Sequence, residues 1–457
     1  MTAPAGVSAL GGLVRRLDDG RGVALSALTS LLVRASGLAT TLVAMPIALH
    51  TLGEARFAAF LMLFGVINWL ILGNLGIHSA LGRMIAHKSD DLDEGALLGA
   101  ALVFALITSL AGSVIVSAAF LVWLNAQGAG LGAPRGEILT SGFLMVVLMT
   151  GQIVLQVFEG VQIGRLQMWR TNLIRLTGSA FTFVCLLVLP RLWNSMMVFV
   201  VALSGGLLLS AALNGAMVVR ELKPRFAGLR RNLWRLRELT VSGLAFVLIG
   251  LASLVQTQAP LLILASQHGA ASAVDFGLLV RLLMIQMVVL GAVTTPLWPA
   301  LVRARIDEDR AWLKRSLVRA AVFVCGCGLA AFAALGLFAP QMVRIWTGRV
   351  MAQPVLFQVL FGLYFFQMAW SHYWGIVMVG LGKERATAVV LLIEAALLLG
   401  LATLGGRLWG PVGVIAGMTM AFAACSFWSL PLMAGLGLRR EFAARPVAPV
   451  QAQGALR

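Results

Sequence analysis

Twelve apolar stretches, each near the length a helix needs to cross a bilayer, follow one another along almost the whole chain. A helix rises roughly 1.5 Å per residue, so about 20 apolar residues cover roughly 30 Å of hydrocarbon. The stretches run from Val23 to His50, Ala55 to Ile77, Gly95 to Trp123, Glu137 to Gly160, Thr171 to Leu189, Ser195 to Val219, Thr240 to Ala265, Val274 to Ala300, Ser316 to Ala339, Pro354 to Gly380, Ala386 to Gly405 and Pro411 to Leu436. Hydrophobic residues make up 60% of the 457 and charged residues 12%, far outside the range of soluble domains. In lipid each helix satisfies its own backbone groups. The expected fold class is an all-α multi-pass membrane protein with about 12 transmembrane helices.

The charge between the stretches fixes an orientation. With the amino terminus in the cytoplasm, the basic residues divide as about 25 inside and about 6 outside, the positive-inside pattern. The inner set holds Arg15, Arg16, Arg83, Lys88, Arg165, Arg170, the clusters from Arg220 to Arg237 and Arg303 to Arg315, and the carboxy-terminal arginines. Both termini are therefore expected inside. The formal charge of +17 is spread over short loops rather than over one basic face, which argues against a nucleic-acid partner. The cluster Arg220 to Arg237, interleaved with Leu229, Leu233, Trp234 and Leu236, suits an amphipathic segment on anionic membrane lipids.

Compared with itself at an offset of about 214 to 220 residues, the sequence repeats weakly. Ala80-Leu81-Gly82-Arg83 matches Ala300-Leu301-Val302-Arg303, each followed by an acidic patch, Asp90 to Glu94 and Asp307 to Asp309. Arg191-Leu192-Trp193 matches Arg407-Leu408-Trp409, and Pro46 has a counterpart in Pro260. The expected organisation is a cytoplasmic segment 1–22, a lobe of six spans 23–219, a basic cytoplasmic linker 220–239, a second lobe 240–436 and a disordered tail 437–457. Two pseudo-symmetric parallel lobes commonly hold a transport pathway between them and work by alternating access.

Polar groups inside the spans are the candidate site. Arg34 lies about halfway along the first span and Glu394 halfway along the eleventh, where a charge costs at least about 2.5 kcal/mol. Arg175, Arg281 and Arg319 lie nearer helix ends, from which arginine reaches the headgroups. Gln152, Gln156 and Glu159 recur at helical spacing, as do Tyr364, Gln367, Ser371 and Trp374, and Ser253, Gln256 and Pro260 share a third face. Such faces line a cavity or pack against other helices. Pro46 and Pro260 each remove a helical hydrogen bond and are candidate hinges. Gly160 with Gly164, and Gly413 with Gly417, suit close helix packing. All four cysteines, Cys185, Cys325, Cys327 and Cys425, fall inside spans, so neither a disulfide framework nor a metal site is expected. No Walker A, GxSxG or HExxH pattern occurs and no loop is long enough for a catalytic domain, so neither enzyme activity nor a cofactor is expected.

The segments Leu52-Gly53-Glu54-Ala55-Arg56-Phe57 and Leu75-Gly76-Ile77-His78-Ser79-Ala80-Leu81-Gly82-Arg83-Met84-Ile85-Ala86 resemble the first two helices of polysaccharide exporters. Gly380-Leu381-Gly382-Lys383-Glu384-Arg385 and Trp409-Gly410-Pro411-Val412-Gly413 resemble two further turns of that family. Asn74 stands where an aspartate is expected. The superfamily also contains multidrug extruders and the peptidoglycan-precursor lipid flippase. The resemblance implies a MATE-like, two-lobed exporter in a bacterial inner membrane that flips polyprenyl-diphosphate-linked oligosaccharides outward, with a glycan polymerase or glycosyltransferases as partners. On that implication Arg34, with Arg175 or Arg281, attracts the diphosphate, since guanidinium engages two phosphate oxygens at once. Gln152, Gln156, Tyr364 and Gln367 contact sugar hydroxyls, Glu159, Gln256 and Ser371 complete the polar lining, and Glu394 pairs with an arginine or carries a coupling proton. The competing readings are a cation-coupled multidrug extruder, a non-transporting scaffold for glycan assembly and a membrane glycosyltransferase.

Overall fold

A computed structural model describes residues 6–86, 93–126, 132–165, 167–242, 244–306 and 310–444, and among them no strand occurs. The helices are α1 Gly6–Ile67, a 3-10 segment Asn68–Asn74, α2 Ile77–Ala86, α3 Glu94–Ala126, α4 Arg135–Leu155, α5 Val157–Gly164, α6 Met168–Leu192, α7 Met196–Glu221, α8 Leu229–Ser242, α9 Leu244–Ile306, α10 Arg310–Thr347, α11 Val355–Gly380, α12 Glu384–Ala424 and α13 Ser426–Ala444. Three of them are pairs of helices meeting at a corner, where the backbone turns left-handed at Gly53 (φ 72°), Gly269 (φ 81°) and Gly410 (φ 66°). Only glycine adopts these angles without a Cβ clash. Each corner falls at a boundary expected between two spans. Among the described residues, eight stretches are long and apolar enough to cross a membrane, three of them, Leu28–Gly82, Leu244–Gly291 and Glu384–Arg439, being 55, 48 and 56 residues long. Those three hold two crossings each, and α11 supplies one more.

The expected spans are less regular than simple helices. The second passes from helix through the 3-10 segment to α2 by way of two left-handed residues, Leu75 (φ 45°) and Gly76 (φ 71°). The fourth is interrupted at Gln156 and the twelfth at Cys425. The expected linker 220–239 contains the helix α8, and α13 continues to Ala444 into the expected tail. Residues 90–92 and 307–309 of the two acidic patches lie outside the described residues, as do 445–457. Asp93 caps α3 by accepting from Gly95 N at 2.9 Å and Ala96 N at 3.2 Å. The Ala96 hydrogen bond, with the Arg225 guanidinium beside it, holds the Asp93 carboxyl below the usual carboxylate range.

Pro46 and Pro260 do not mark the bends of their helices. Both helices run on through Pro46 and Pro260 and leave the helical region only at Gly53 and Gly269. A helical proline withholds its N–H from the carbonyl four residues back, and here an aromatic donor replaces it. Trp346 Nε1 donates to Leu42 O, before Pro46, at 2.7 Å. Tyr364 OH donates to Gln256 O, before Pro260, at 3.3 Å. Trp370 Nε1 donates to Phe427 O, before Pro431, at 3.1 Å. Each of these three prolines thus leaves an acceptor that ties its helix to a neighbour, and the helices are unbent at Pro46 and Pro260 in this state.

Small residues bring the helices close, as expected. A Cβ on Gly160 would lie 2.5 Å from His78 O, and one on Gly164 would lie 2.6 Å from Ile85 Cβ, so α5 packs directly against α2. The two arms of α12 cross at Gly405 and Gly413, where a Cβ on Gly413 would overlap the Gly405 carbonyl. Neither backbone can yield, so Gly413→Leu is expected to cost about 3 kcal/mol or more. Size-exclusion chromatography of the purified variant should show loss of the monodisperse peak. Gly375→Ala is the control and should keep the peak, since nothing lies within 4 Å of its added Cβ.

The first half, up to α7, and the second half, from α9, meet unequally at their two ends. At the Gly53 end one apolar core joins them, with Phe57, Phe60 and Leu63 of α1 packed in the same cluster as Phe276, Phe361 and Phe365. At the α8 end each half has a separate core. One contains Leu81, Leu98 and Phe158, and the other Leu301, Leu313 and Tyr373. The halves are closed together at the Gly53 end and, among the described residues, share no core at the other.

Candidate functional site

A polar cavity of about 460 Å³ lies within the first half. Val33, Gly37, Thr40 and Thr41 of α1 recur at three- and four-residue intervals and form one wall. Gln152, Gln156 and Glu159 from α4, the break and α5 form another. The interruption at Gln156 keeps all three on the cavity side. Arg175 and Ser179 of α6 and Ser210 of α7 complete the polar surface, and Arg281 of α9 reaches in from the second half.

Two cations and one anion line this space. Arg175 Nη2 donates to Glu159 Oε2 at 2.7 Å and Oε1 at 2.9 Å. The Glu159 side chain is 9% exposed and that of Arg175 39%, so the carboxylate backs the guanidinium while leaving part of it open. Arg281, half-buried, makes no hydrogen bond or ion pair with the described residues. The cavity therefore offers one uncompensated guanidinium and a second held in place by its counterion. Asn74 Nδ2 donates to Gln156 Oε1 at 2.7 Å, and Asn74 Oδ1 lies 3.2 Å from His78 Nδ1. An aspartate at position 74 has no N–H to give Gln156, which accounts for asparagine there.

Of the three expected headgroup arginines, Arg175 and Arg281 line the cavity and Arg34 does not. Its place is taken by Arg281. Of the expected polar lining, Gln152, Gln156 and Glu159 lie in this cavity, while Gln256 and Ser371 line a separate one of about 380 Å³ in the second half. Tyr364 and Gln367 line neither. They are 1% and 5% exposed, and the Tyr364 ring packs among Phe361, Phe365 and Phe422. The periodicity placed them on a protein-facing side of α11, and that side is core rather than cavity.

Glu394 is fully buried. It accepts from Gln256 Nε2 at 2.7 Å and from the Ser426 backbone N–H at 2.9 Å. These bonds join α12 to α9 and to the start of α13, so the partner of Glu394 is an amide pair and not an arginine. Among the described residues no group of three or more His, Cys, Asp or Glu side chains is placed to hold a metal ion.

The closed end carries charges that sequence reasoning passed over. Arg349, between α10 and α11, reaches Glu54 Oε2 at 2.5 Å and donates from Nε to Asp275 Oδ1 at 3.0 Å. Glu54 belongs to the first half and Asp275 to the second. Asp275, 0% exposed, also accepts from Ala352 N at 3.1 Å and Gln353 Nε2 at 3.3 Å. Burial alone would loosen the Arg349 proton, but the hydrogen bonds it donates to Glu54 and Asp275 outweigh that and hold it more tightly than usual. The available signal was Asp275 itself, the sole carboxylate in α9.

No family model matches the chain. A curated relative from Salmonella typhi, described as "Putative O-antigen transporter", is 21% identical over 407 residues, which cover 86% of this chain and 91% of the relative. A solved structure described as the inward-facing conformation of a multidrug resistance MATE family transporter of the MOP superfamily superposes with a TM-score of 0.68. It is 16% identical and the match covers 90% of this chain and 98% of that one. A MOP superfamily transporter from Pyrococcus furiosus, described as having a binding pocket of reverse polarity, gives a TM-score of 0.65 at 16% identity over 93% and 96% of the two chains. The all-α multi-pass architecture is thus that of the MOP superfamily, in agreement with the resemblance read from the turns.

Proposed function

We propose that this chain, which has the MOP-superfamily fold, is a membrane transporter that carries a lipid-linked, diphosphate-bearing oligosaccharide outward by alternating access. The observation that carries the reading is Arg281, an uncompensated guanidinium in a cavity whose other polar groups are amides, hydroxyls and one neutralised ion pair. Guanidinium and diphosphate match in charge and planar geometry, and the low-dielectric surroundings strengthen the contact. Gln152 and Gln156 supply the amides that sugar hydroxyls require. The "O-antigen transporter" description of the 21%-identical relative supports the same cargo class.

The two halves act as lobes. The positive-inside pattern assigns the α8 end to the cytoplasm of a bacterial inner membrane, so the shared core closes the external side and the chain stands inward-facing. A diphosphate lipid then enters from the inner leaflet. A multidrug extruder on the same fold needs a free carboxylate to draw in a cation, and Glu159, the carboxylate lining the first cavity, is engaged by Arg175. Binding to purified protein in nanodiscs separates the two cargoes. An isoprenyl diphosphate sugar should bind with strong salt dependence and a lipophilic cation weakly, whereas tight cation binding alone would support the extruder.

Glu394 is the proposed coupling group. A carboxylate accepts from Gln256 and Ser426 with full negative charge, whereas protonation makes one oxygen a donor and a weaker acceptor and so weakens the bond to that oxygen. Proton binding therefore loosens α12 from α9 or α13. Glu394→Gln is expected to make transport in proteoliposomes insensitive to an imposed pH gradient. Unchanged gradient dependence would remove Glu394 from coupling.

A further inference from the structure

The cavity of the second half is the repeat counterpart of the first. Eight of its thirteen lining residues stand 216 positions after residues that line the first cavity, so the two are one structural pocket built twice. Their chemistry has diverged in one direction. Gln152 corresponds to Met368, Gln156 to His372, Glu159 to Gly375 and Arg175 to Leu391, so the ion pair of the first half and both of these amides are gone.

The polar side chains that remain have partners within the protein. Gln256 donates to Glu394, Ser371 is paired with Ser426, Ser253 donates to Ile249 O at 2.9 Å, Thr387 donates to Lys383 O at 3.1 Å and His372 Nε2 lies 3.4 Å from Thr294 Oγ1. With its polar side chains engaged in this way and no charged side chain in its lining, the cavity presents mainly carbon to a ligand and suits hydrocarbon. Its rim is open, with Phe246 42% exposed and Ser253 exposed. Glycine at 375 leaves room in the space, since nothing lies within 4 Å of a Cβ built there.

We infer that the second-half cavity holds the isoprenoid chain of the carried lipid while the first-half cavity holds its diphosphate headgroup. Duplication of one pocket, followed by loss of charge in one copy, yields a matched pair of sites for the two ends of an amphiphile. This assignment rests on the proposed cargo class and adds the position of its hydrocarbon end.

Photolabelling of the full chain in nanodiscs tests it. The probe is a short isoprenyl diphosphate sugar with a diazirine on the isoprenyl chain, and a phosphatidylethanolamine with the same diazirine on an acyl chain serves for comparison. Mass spectrometry should find the isoprenyl label on Met368, Ile376 or Leu391, displaced by unlabelled isoprenyl diphosphate. Gly375→Phe, which fills the space, should cut that labelling at least fivefold while Gly375→Ala retains it. Binding of a water-soluble sugar diphosphate without the chain should be unchanged in Gly375→Phe. Equal labelling of the cavity by the phospholipid probe, not displaced by isoprenyl diphosphate, would make it a bulk-lipid site and overturn the assignment. So would label confined to outward surfaces while the soluble diphosphate still binds, and in that case the headgroup reading stands. Failure of both probes to bind the wild-type chain would overturn the cargo class as well.

Discussion

Arg281→Ala should weaken binding of an isoprenyl diphosphate sugar by roughly 10- to 150-fold and leave the folded protein intact. A hydrogen bond to a charged group is worth about 1.5–3 kcal/mol, and each 1.4 kcal/mol is a factor of ten. Stability should not fall, because Arg281 has no partner among the described residues to orphan. Arg281→Lys keeps the charge but loses the planar fork, so an intermediate loss is expected. Arg175→Ala behaves differently, since it leaves Glu159 buried without its counterion. That variant should lose both binding and thermal stability. Titration in nanodiscs, paired with melting curves, distinguishes the two arginines, and an Arg281→Ala protein that binds normally would exclude this residue from the headgroup site.

Arg349→Ala should release the external closure. The guanidinium joins Glu54 of one half to Asp275 of the other, and its removal leaves Asp275 buried with only neutral donors. Breaking a buried pair by removing one partner costs about 3 kcal/mol at the low end. Applied to a state populated at about 1%, that is enough to make it comparable to or more populated than the closed form. Spin labels at Ala55 and Val350, on opposite sides of the closure, should report one short distance in the wild type and a second, longer population in the variant. Glu54→Gln cuts only the link between halves. Because Glu54 is 43% exposed, solvent screening reduces its expected effect to about 1 kcal/mol or less. Trp346→Phe, which frees the Leu42 carbonyl, should act in the same direction. A single unchanged distance in all three variants would remove the latch from the transport cycle.

The turns were the most legible part of the sequence. Leu52-Gly53-Glu54 and Trp409-Gly410-Pro411 mark corners where a left-handed backbone demands glycine, and a demand of that kind is written directly in residue type. Gly382 (φ 70°) closes α11 in the same way before α12 begins at Glu384. The helix-facing stripe Gln152, Gln156 and Glu159 was legible too, because amides at helical spacing have no use against lipid. Depth along a span was a poor guide to which arginines line the cavity. Arg34 is central to its span yet does not line it, while Arg281, nearer a helix end, does. Only the packing of α9 against α1 decides that, and no local pattern encodes it. The partners of the proline-freed carbonyls were illegible for a related reason: the sequence shows that a carbonyl is freed, but the indole or phenol that takes it comes from residues as distant as Trp346 is from Leu42. Tyr364 and Gln367 shared a face whose neighbours turned out to be aromatic core.

Translocation of two cargoes side by side in proteoliposomes tests the central claim most directly. A fluorescent isoprenyl diphosphate sugar and a lipophilic cation are presented to the same preparation, and appearance of each on the opposite side is followed against protein-free vesicles. Protein-dependent movement of the diphosphate lipid, abolished in Arg281→Ala, is the expected result. Movement of the cation with none of the diphosphate lipid would contradict it.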